Sequence, residues 1–334
     1  MTDLAKTPFV RELASSDKKI RDKATDSLAL FLRSKTDLSL LELLKLWKGL
    51  FFCFYHSDRP LTQQALARNL SYSLVPALPR STVHRFLRAF WITIGREFHS
   101  IDRLRLDKYL LLIRLYIGVA FEIFLKNKSD SAQQQANGNG SAKKRKREES
   151  EAAKKRSKSK SRSKSKPGKQ LDEDEDGDEE ENTDEKREAS QTNNLAANDW
   201  RDLKSYLAIL SEGPLNPLNF DPAQPAADEK NDIMPMPLGP DGLRYHILDI
   251  WIDEIEKVLE FDEESGRPKG DVPMELLLEP VERLKKEGVH RPVRARAGET
   301  LSDERLVEWG FRTKEVAEDE EEESEEEWGG FGDD

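Results

Sequence analysis

The residue types that perform acid–base, nucleophilic or metal chemistry are few in this sequence and are scattered along it. The five histidines include no pair at the three- or four-residue spacing that places two metal ligands on one helix face: His56, His84, His99, His246 and His290. The single cysteine, Cys53, rules out a CxxC motif and an internal disulfide, and it favours a reducing compartment. No P-loop, GxGxxG, GxSxG or HExxH motif is present. The sequence therefore predicts neither a metal site nor a cofactor site.

Three aspartates could in principle act as general acids or bases: Asp58, Asp102 and Asp107. Carboxylates at helix starts and on amphipathic faces more often cap helices or form ion pairs. We therefore predict that the protein is not an enzyme and has no small-molecule substrate. A helical nuclease remains an alternative, and it would require clustered carboxylates to hold a metal.

The basic residues point instead to a polyanionic partner. Residues 1–128 contain 22 Lys and Arg against 12 Asp and Glu, and phosphate binding by such residues releases condensed counterions. The candidate contacts with RNA or a partner are Lys18, Lys19, Arg21, Lys23, Arg85, Arg88, Arg96, Arg103, Arg105 and Lys108. Within 101–114 the alternative is a salt-bridge network between helices, with pairs Asp102–Arg105 and Arg103–Asp107. Elsewhere the alternative is an ordinary solvated face.

The rest of the chain contains separate basic and acidic blocks, and the net charge of -11 does not show this separation. Residues 143–169 hold 14 basic and 3 acidic residues, 172–188 hold 2 basic and 12 acidic, and 315–334 hold 12 acidic and none basic. The predicted nuclear-localisation residues are Lys143, Lys144, Arg145, Lys146, Arg147, Lys154, Lys155 and Arg156. An import receptor is the partner expected for them, and a generic solvated linker is the alternative.

The acidic tail contains two aromatic residues, Trp328 and Phe331, in the sequence EDEEEESEEEWGGFGDD. Aromatic side chains in an otherwise charged tail favour a short docking motif, because acidic flanks steer them to a basic surface. The alternative is a tail that only increases solubility.

The elements that would position these residues are helical. Between residues 8 and 127 apolar residues recur at steps of three and four, with Asp17 and Ser39 as helix caps and Pro60 in a first turn. No strand alternation is visible. The predicted fold class is all-α, a HEAT- or armadillo-like stack of helical hairpins with a long disordered charged linker and an acidic tail.

This pattern divides the chain into four predicted parts. Residues 1–128 form a basic helical-repeat domain, and 129–198 are a disordered linker, basic and then acidic. Residues 199–290 continue the helices and pack on the first part, with a helix interrupted or bent near Pro280. Residues 291–334 are an extended or disordered acidic tail. No window is long and apolar enough to span a membrane, and the opening MTDLAKTPFV has no signal core, so a soluble intracellular protein is expected.

The large aromatic residues of the first part are predicted to form its core. Trp47, Phe51, Phe90 and Trp91 lie on strongly apolar helix faces, which is typical of packing rather than of ligand binding.

Several segments together resemble one known family. They are FVRELASSDKKIRDKATDSLALFL at the start, LLKLWKGLFFCFYHSDRPLTQQALARNL at 43–70, FLRAFWITIGREFHSIDRLRLDKYLLLIR at 86–114 and GLRYHILDIWIDEIEKV at 242–258. These segments resemble the nucleolar ribosomal RNA-processing protein 1 family over roughly 1–128 and 200–260. The insertion at 129–198 departs from a compact version of that pattern.

The resemblance implies a nucleolar scaffold on early pre-60S particles that is required for pre-rRNA processing without nuclease activity of its own. It implies as partners pre-ribosomal RNA, ribosomal proteins and other large-subunit assembly factors, including Brix-domain and WD-repeat types. A HEAT-like adaptor for nuclear transport or chromatin shares the same features and remains the alternative.

Overall fold

The computed structural model describes residues 12, 13, 15, 17–126, 200–219 and 224–313. Regular structure in these residues is helical apart from two isolated β-bridges, which confirms the predicted all-α class. The helices are α1 Lys18–Ser34, α2 Leu40–Tyr55, α3 Pro60–Arg68, α4 Arg80–Glu97, α5 Arg103–Phe121, α6 Arg201–Glu212, α7 Asp241–Glu256, α8 Met274–Glu287, α9 Arg291–Leu301 and α10 Glu304–Glu308. A π-helical turn follows α3 at Asn69–Ser73, and another follows α5 at Glu122–Lys126.

The helix starts in the first half follow from local sequence. The Asp17 side chain accepts from the Lys19 amide at the start of α1, and Ser39 forms a reciprocal capping box with Glu42 at the start of α2. Pro60 occupies the first turn of α3, where its missing amide hydrogen leaves no helical bond unmade.

The core of this half is aromatic, as predicted. Trp47, Phe51, Phe90 and Trp91 are all buried. The Trp47 Nε1 donates to the carbonyl of Phe86 at 3.2 Å, which ties α2 to α4. The Phe90 ring stacks on Tyr116 of α5 with centroids 3.9 Å apart, so α2, α4 and α5 share one core.

Helices from the second half pack directly on the first half. The described residues of 1–126 and 202–334 belong to one compact unit, in which α7 lies against α5. Trp251 of α7 meets Phe121 of α5 edge-on at 5.1 Å, and Arg114 of α5 pairs with Glu254 and Asp253 of α7 at 2.5 and 2.9 Å. A hydrophobic contact and an ion pair to the buried Glu254 carboxylate therefore hold the two halves together.

The end of the first half also touches the beginning of the second. The Phe124 ring lies 5.5 Å from Tyr206 of α6 and 4.8 Å from His84 of α4, measured between centroids. Residues on either side of the long insertion are therefore neighbours in space.

The second half departs from the expectation at one end. Residues 291–334 were expected to be extended or disordered, but α9 and α10 lie within this range and α9 packs on α7 and α8. Helix α8 was expected to be interrupted or bent near Pro280; it is not interrupted, and it continues from Met274 to Glu287 with Pro280 buried inside it. Burial of Leu277, Val281 and Leu284 beside Pro280 stabilises the helix despite the lost hydrogen bond.

The predicted linker at 129–198 and the acidic tail from 314 onward lie outside the described residues. Among the helices that are described, none has the length and apolarity needed to cross a membrane.

Candidate nucleic-acid interface

The predicted basic contacts on α1 lie on its outer face. Lys18, Lys19 and Lys23 are exposed, and Lys18 forms an ion pair with Asp22 one turn later. Asp26 is exposed on the same helix. This face therefore carries mixed charge, and Lys19 and Lys23 are its accessible cations.

Arg21 occupies a different position from its neighbours on α1. It is 5% exposed, and its guanidinium donates to the Ser15 carbonyl at 2.9 Å and to the His56 carbonyl at 3.4 Å. This burial argues against a contact between Arg21 and an RNA phosphate. The residue instead joins α1 to the end of α2.

Lys108 of α5 is also committed to the fold. Its side chain is 2% exposed, and its ammonium donates to the carbonyls of Tyr55 and Ser57 at 2.8 and 3.1 Å and to Asp58 at 3.0 Å. It therefore satisfies main-chain acceptors at the last residue of α2 and just beyond it. This burial argues against a contact between Lys108 and an RNA phosphate as well.

Arg105, one turn earlier on α5, forms the predicted salt-bridge network. It pairs with Asp58 at 2.9 Å and with Asp102 at 2.6 Å, and its guanidinium lies 4.5 Å from the Tyr55 ring centroid. The pair Asp102–Arg105 was foreseen from its three-residue spacing. The bond from Arg105 to Asp58 spans 47 positions and left no signal in the sequence.

This network keeps its carboxylates ionised. Hydrogen bonds from Arg105, followed by those from Lys108, lower the pKa of Asp58 from 3.8 to about 2. Arg105 likewise lowers the pKa of Asp102, which also accepts a hydrogen bond from the Tyr55 hydroxyl at 2.9 Å. Groups held as carboxylates in this way cannot supply a proton near neutral pH, so the geometry gives neither aspartate a general-acid role.

The candidate arginines in the middle of α4 contact the second half of the chain. Arg88 makes a two-pronged ion pair with Glu212 of α6, both distances being 2.6 Å. Arg85 donates to the Leu38 carbonyl at 2.6 Å and lies 3.6 Å from Asp232. Their charges are compensated internally, which weakens the case for phosphate contact.

The remaining candidates, Arg96 and Arg103, are exposed, and neither forms an ion pair within the described residues. The predicted Arg103–Asp107 pair is not formed there. Other exposed cations of this kind were not among the predicted contacts, including Arg33 on α1, Lys45 on α2, Arg59 before α3 and Arg68 on α3. For Lys45 the available signal was its place in a series with Lys48, Phe52 and His56 at helical steps of three and four residues.

The described part of the chain contains no group of three or more His, Cys, Asp or Glu that could hold a metal ion. Cys53 is buried, and this burial raises the pKa of its thiol. Its environment is that of a packing residue rather than of a nucleophile.

Two sets of predicted site residues fall outside the described residues and stay predictions. They are the nuclear-localisation residues Lys143, Lys144, Arg145, Lys146, Arg147, Lys154, Lys155 and Arg156, and the tail residues Trp328 and Phe331.

Comparison with known proteins gives relatives with a common name. The chain is 45% identical over 129 residues to human "Ribosomal RNA processing protein 1 homolog B", which is 37% of this chain and 17% of that protein. It is 36% identical over 120 residues to human "Ribosomal RNA processing protein 1 homolog A", 34% of this chain and 26% of that protein. A Dictyostelium discoideum homologue is 32% identical over 92 residues, 28% of this chain and 19% of that protein. The aligned region thus spans about a fifth of each relative.

A family model described as "Nucleolar protein, Nop52" matches residues 4–139 and 191–330, which include all of the helices described above. Because the match extends over well more than half of the sequence and on both sides of the insertion, the chain belongs to the Nop52 family of nucleolar proteins.

Proposed function

We propose that this protein acts in ribosomal RNA processing as a non-catalytic scaffold on early particles of the large ribosomal subunit. The observation that carries the proposal is the family match over the whole compact helical unit, together with relatives that are named for ribosomal RNA processing. As a member of a nucleolar family, the chain is located where precursors of the ribosome are processed.

The absence of a catalytic role is part of this proposal, and the side-chain geometry supports it. Asp58 and Asp102, which were candidate acid–base groups, are paired with Arg105 and lie beside the end of α2. Their distances and lowered pKa values are those of groups that stabilise a fold.

The distribution of charge supports binding to two kinds of partner. Residues 17–126 hold 19 Lys and Arg against 10 Asp and Glu, whereas residues 241–313 hold 12 against 18. One stretch of the compact unit therefore has a basic balance suited to RNA phosphate, and another has an acidic balance suited to basic ribosomal proteins or assembly factors.

The test is sedimentation of the tagged full chain in a sucrose gradient combined with analysis of precursor rRNA after depletion. We expect the chain to migrate with precursors of the large subunit, and its loss to cause unprocessed precursor to accumulate. Migration only with small complexes would favour the alternative, a HEAT-like adaptor for nuclear transport or chromatin. Cleavage of a precursor transcript by the purified chain would contradict the non-catalytic part.

Nuclear entry is proposed to depend on the basic block 143–169, with an import receptor as partner. Deleting this block should reduce nuclear accumulation of the full chain, which imaging measures. RNA binding by the helical unit should persist in the deleted chain and should depend on salt, because each neutralised phosphate contributes roughly -0.7 to -0.9 to the salt slope. Normal import without the block would contradict the assignment.

A further inference from the structure

Helix α2 has one face that the protein does not cover. The helix is apolar on most of its surface, yet Phe52 remains 36% exposed while both of its neighbours, Phe51 and Cys53, are buried. Three further exposed residues lie on the same side of the helix, Lys45 seven residues before Phe52, Lys48 four residues before it and His56 four residues after it. They form a single stripe along the helix, which we call the α2 stripe and define as Lys45, Lys48, Phe52 and His56.

The aromatic ring in this stripe is accompanied by cations. The Lys48 ammonium lies 5.3 Å from the Phe52 ring centroid and also pairs with Glu97 of α4. Lys45 has no ion-pair partner within the described residues, and neither does Arg59, four residues beyond the end of α2. Among the described residues, one unpaired cation therefore precedes the exposed ring on the helix, and another follows the end of the helix in the sequence.

Negative charge near the end of α2 is compensated. A helix C-terminus ordinarily carries about half a negative charge and would repel phosphate. Here Arg21 donates to the His56 carbonyl, and Lys108 donates to the Tyr55 and Ser57 carbonyls. Asp58 is paired with Arg105 and Lys108. The buried and paired cations thus remove the repulsion that this end of the helix would otherwise exert.

This combination fits single-stranded RNA better than duplex RNA or a basic protein segment. Stacking needs an exposed aromatic ring, which Phe52 offers, and the backbone needs a cation beside it, which Lys45 supplies. Duplex RNA keeps its base faces stacked internally and would not use the ring. A basic protein segment would be repelled by the same lysine.

We infer that the α2 stripe binds a single-stranded segment of RNA, with one base stacked on Phe52 and a neighbouring phosphate held by Lys45. The inference rests on the RNA contact contained in the proposed function and adds to it a surface and a mode of binding.

The test is ultraviolet crosslinking of the full chain to a twelve-nucleotide oligouridylate, followed by mass spectrometry of the crosslinked peptides. Substituting Gln for the basic residues of 143–169 provides a background in which that block does not dominate. We expect a crosslinked peptide that contains Phe52. Phe52→Leu should lower its yield on the order of tenfold, whereas Phe52→Tyr, which keeps a stacking ring, should retain it.

The matched control is Phe311→Leu. Phe311 is 37% exposed, nearly the same as Phe52, but it lines a cleft beside Asp271, Glu275 and Glu282. This variant should leave the crosslink unchanged. Lys45→Gln should reduce the magnitude of the salt slope of binding by roughly 0.7, the contribution of one phosphate contact on a single strand.

The outcomes separate this inference from the proposed function. Crosslinks confined to other regions, or an unchanged yield in Phe52→Leu, would overturn the stripe as the RNA site while leaving RNA binding by the chain in place. Normal RNA binding by Phe52→Leu with loss of migration on large-subunit precursors would overturn it in favour of a protein partner. A wild-type chain that binds no RNA yet still migrates with the precursors would overturn the RNA contact and leave the scaffold role standing.

Discussion

Lys108 shows how one buried charge can hold two helices in place. Its ammonium is the hydrogen-bond donor for the Tyr55 and Ser57 carbonyls and also bonds Asp58, so removing it leaves three acceptors without this donor. We expect Lys108→Ala to lower the free energy of unfolding by about 2–4 kcal/mol, as measured by urea denaturation.

The matched control for Lys108 is Lys45→Ala on the exposed face of α2, which should change stability by less than about 0.5 kcal/mol. Equal effects of the two substitutions would show that Lys108 is not bonded as described.

His246 gives a test based on pH. Its Nε2 donates to the Leu110 carbonyl at 2.8 Å, and burial lowers the pKa of the ring below the ordinary value of 6.5. As the pH falls, the unfolded chain therefore binds a proton at this ring before the folded chain does. The contribution of His246 to stability is complete above pH 6.5 and is lost progressively as the pH falls from 6.5 toward the folded-state pKa.

Melting temperatures between pH 7.5 and pH 5.5 check this expectation. His246→Gln should reduce the dependence of stability on pH over that range, whereas His99→Gln, at an exposed ring, should leave it unchanged. A pH dependence identical in wild type and His246→Gln would refute the assignment.

For single residues, the sequence predicts ion pairs between neighbours on one helix turn, but it does not predict contacts between residues that are far apart in the sequence. The Asp102–Arg105 pair follows from helical spacing and was foreseen. The burial of Arg21 and Lys108 was missed because both side chains donate to carbonyls near the end of α2. The His56 carbonyl is 35 positions from Arg21 in the sequence, and the Tyr55 carbonyl is 53 positions from Lys108. Every residue has a main-chain carbonyl, so the residue types in a sequence do not indicate which carbonyl will accept a side-chain hydrogen bond.

Two glycines inside helices give opposite predictions for the same substitution. A Cβ added at Gly118 of α5 would lie 2.6 Å from the Tyr72 hydroxyl and 2.7 Å from Glu254 Oε2, the carboxylate that joins α5 to α7 through Arg114. Gly118→Ala should therefore destabilise the fold by about 1–3 kcal/mol through overpacking.

A Cβ at Gly298 of α9 would meet only the Lys285 side chain, at 3.9 Å. Gly298→Ala should therefore stabilise the protein by up to about 1 kcal/mol, because alanine favours helix. Thermal unfolding of both variants measures the two signs, and destabilisation by both would contradict the packing at α9.

The sequence predicts an element when its buried face is made of large apolar residues. Helices α2, α4 and α5 meet that condition, and α2 begins at the expected cap, Ser39. Helix α9 does not, because its buried residues include Ala297, Gly298 and Thr300. Small side chains allow close packing on α7 and α8, but they give weak hydrophobic periodicity, so this helix was read as extended.

The described residues of 17–126 and 202–313 form one compact unit made from two separated stretches of sequence. Because Trp251 packs on Phe121 and Arg114 is paired with Glu254, residues 1–128 alone would expose a core face. We expect fragments 1–128 and 199–334 to copurify when they are coexpressed, and fragment 1–128 alone to aggregate.

Size-exclusion chromatography with circular dichroism measures this association. Trp251→Ala in the second fragment should weaken it, since truncating a buried tryptophan costs about 3–5 kcal/mol. A stable, monomeric fragment 1–128 with full helicity would contradict a shared core.

The contact between Phe124 and Tyr206 has a consequence for the stretch of sequence that joins the two halves, whose length can change. The described residues end two residues after Phe124 and resume six residues before Tyr206, so the ends of the joining stretch are close together relative to the number of residues that join them. The entropy of closing a connection grows only with the logarithm of its length, by about 0.6 kcal/mol for each doubling. Charged sequence can therefore be gained, lost or exchanged at this position with little thermodynamic effect on the helices, which makes it a suitable place for inserting a tag.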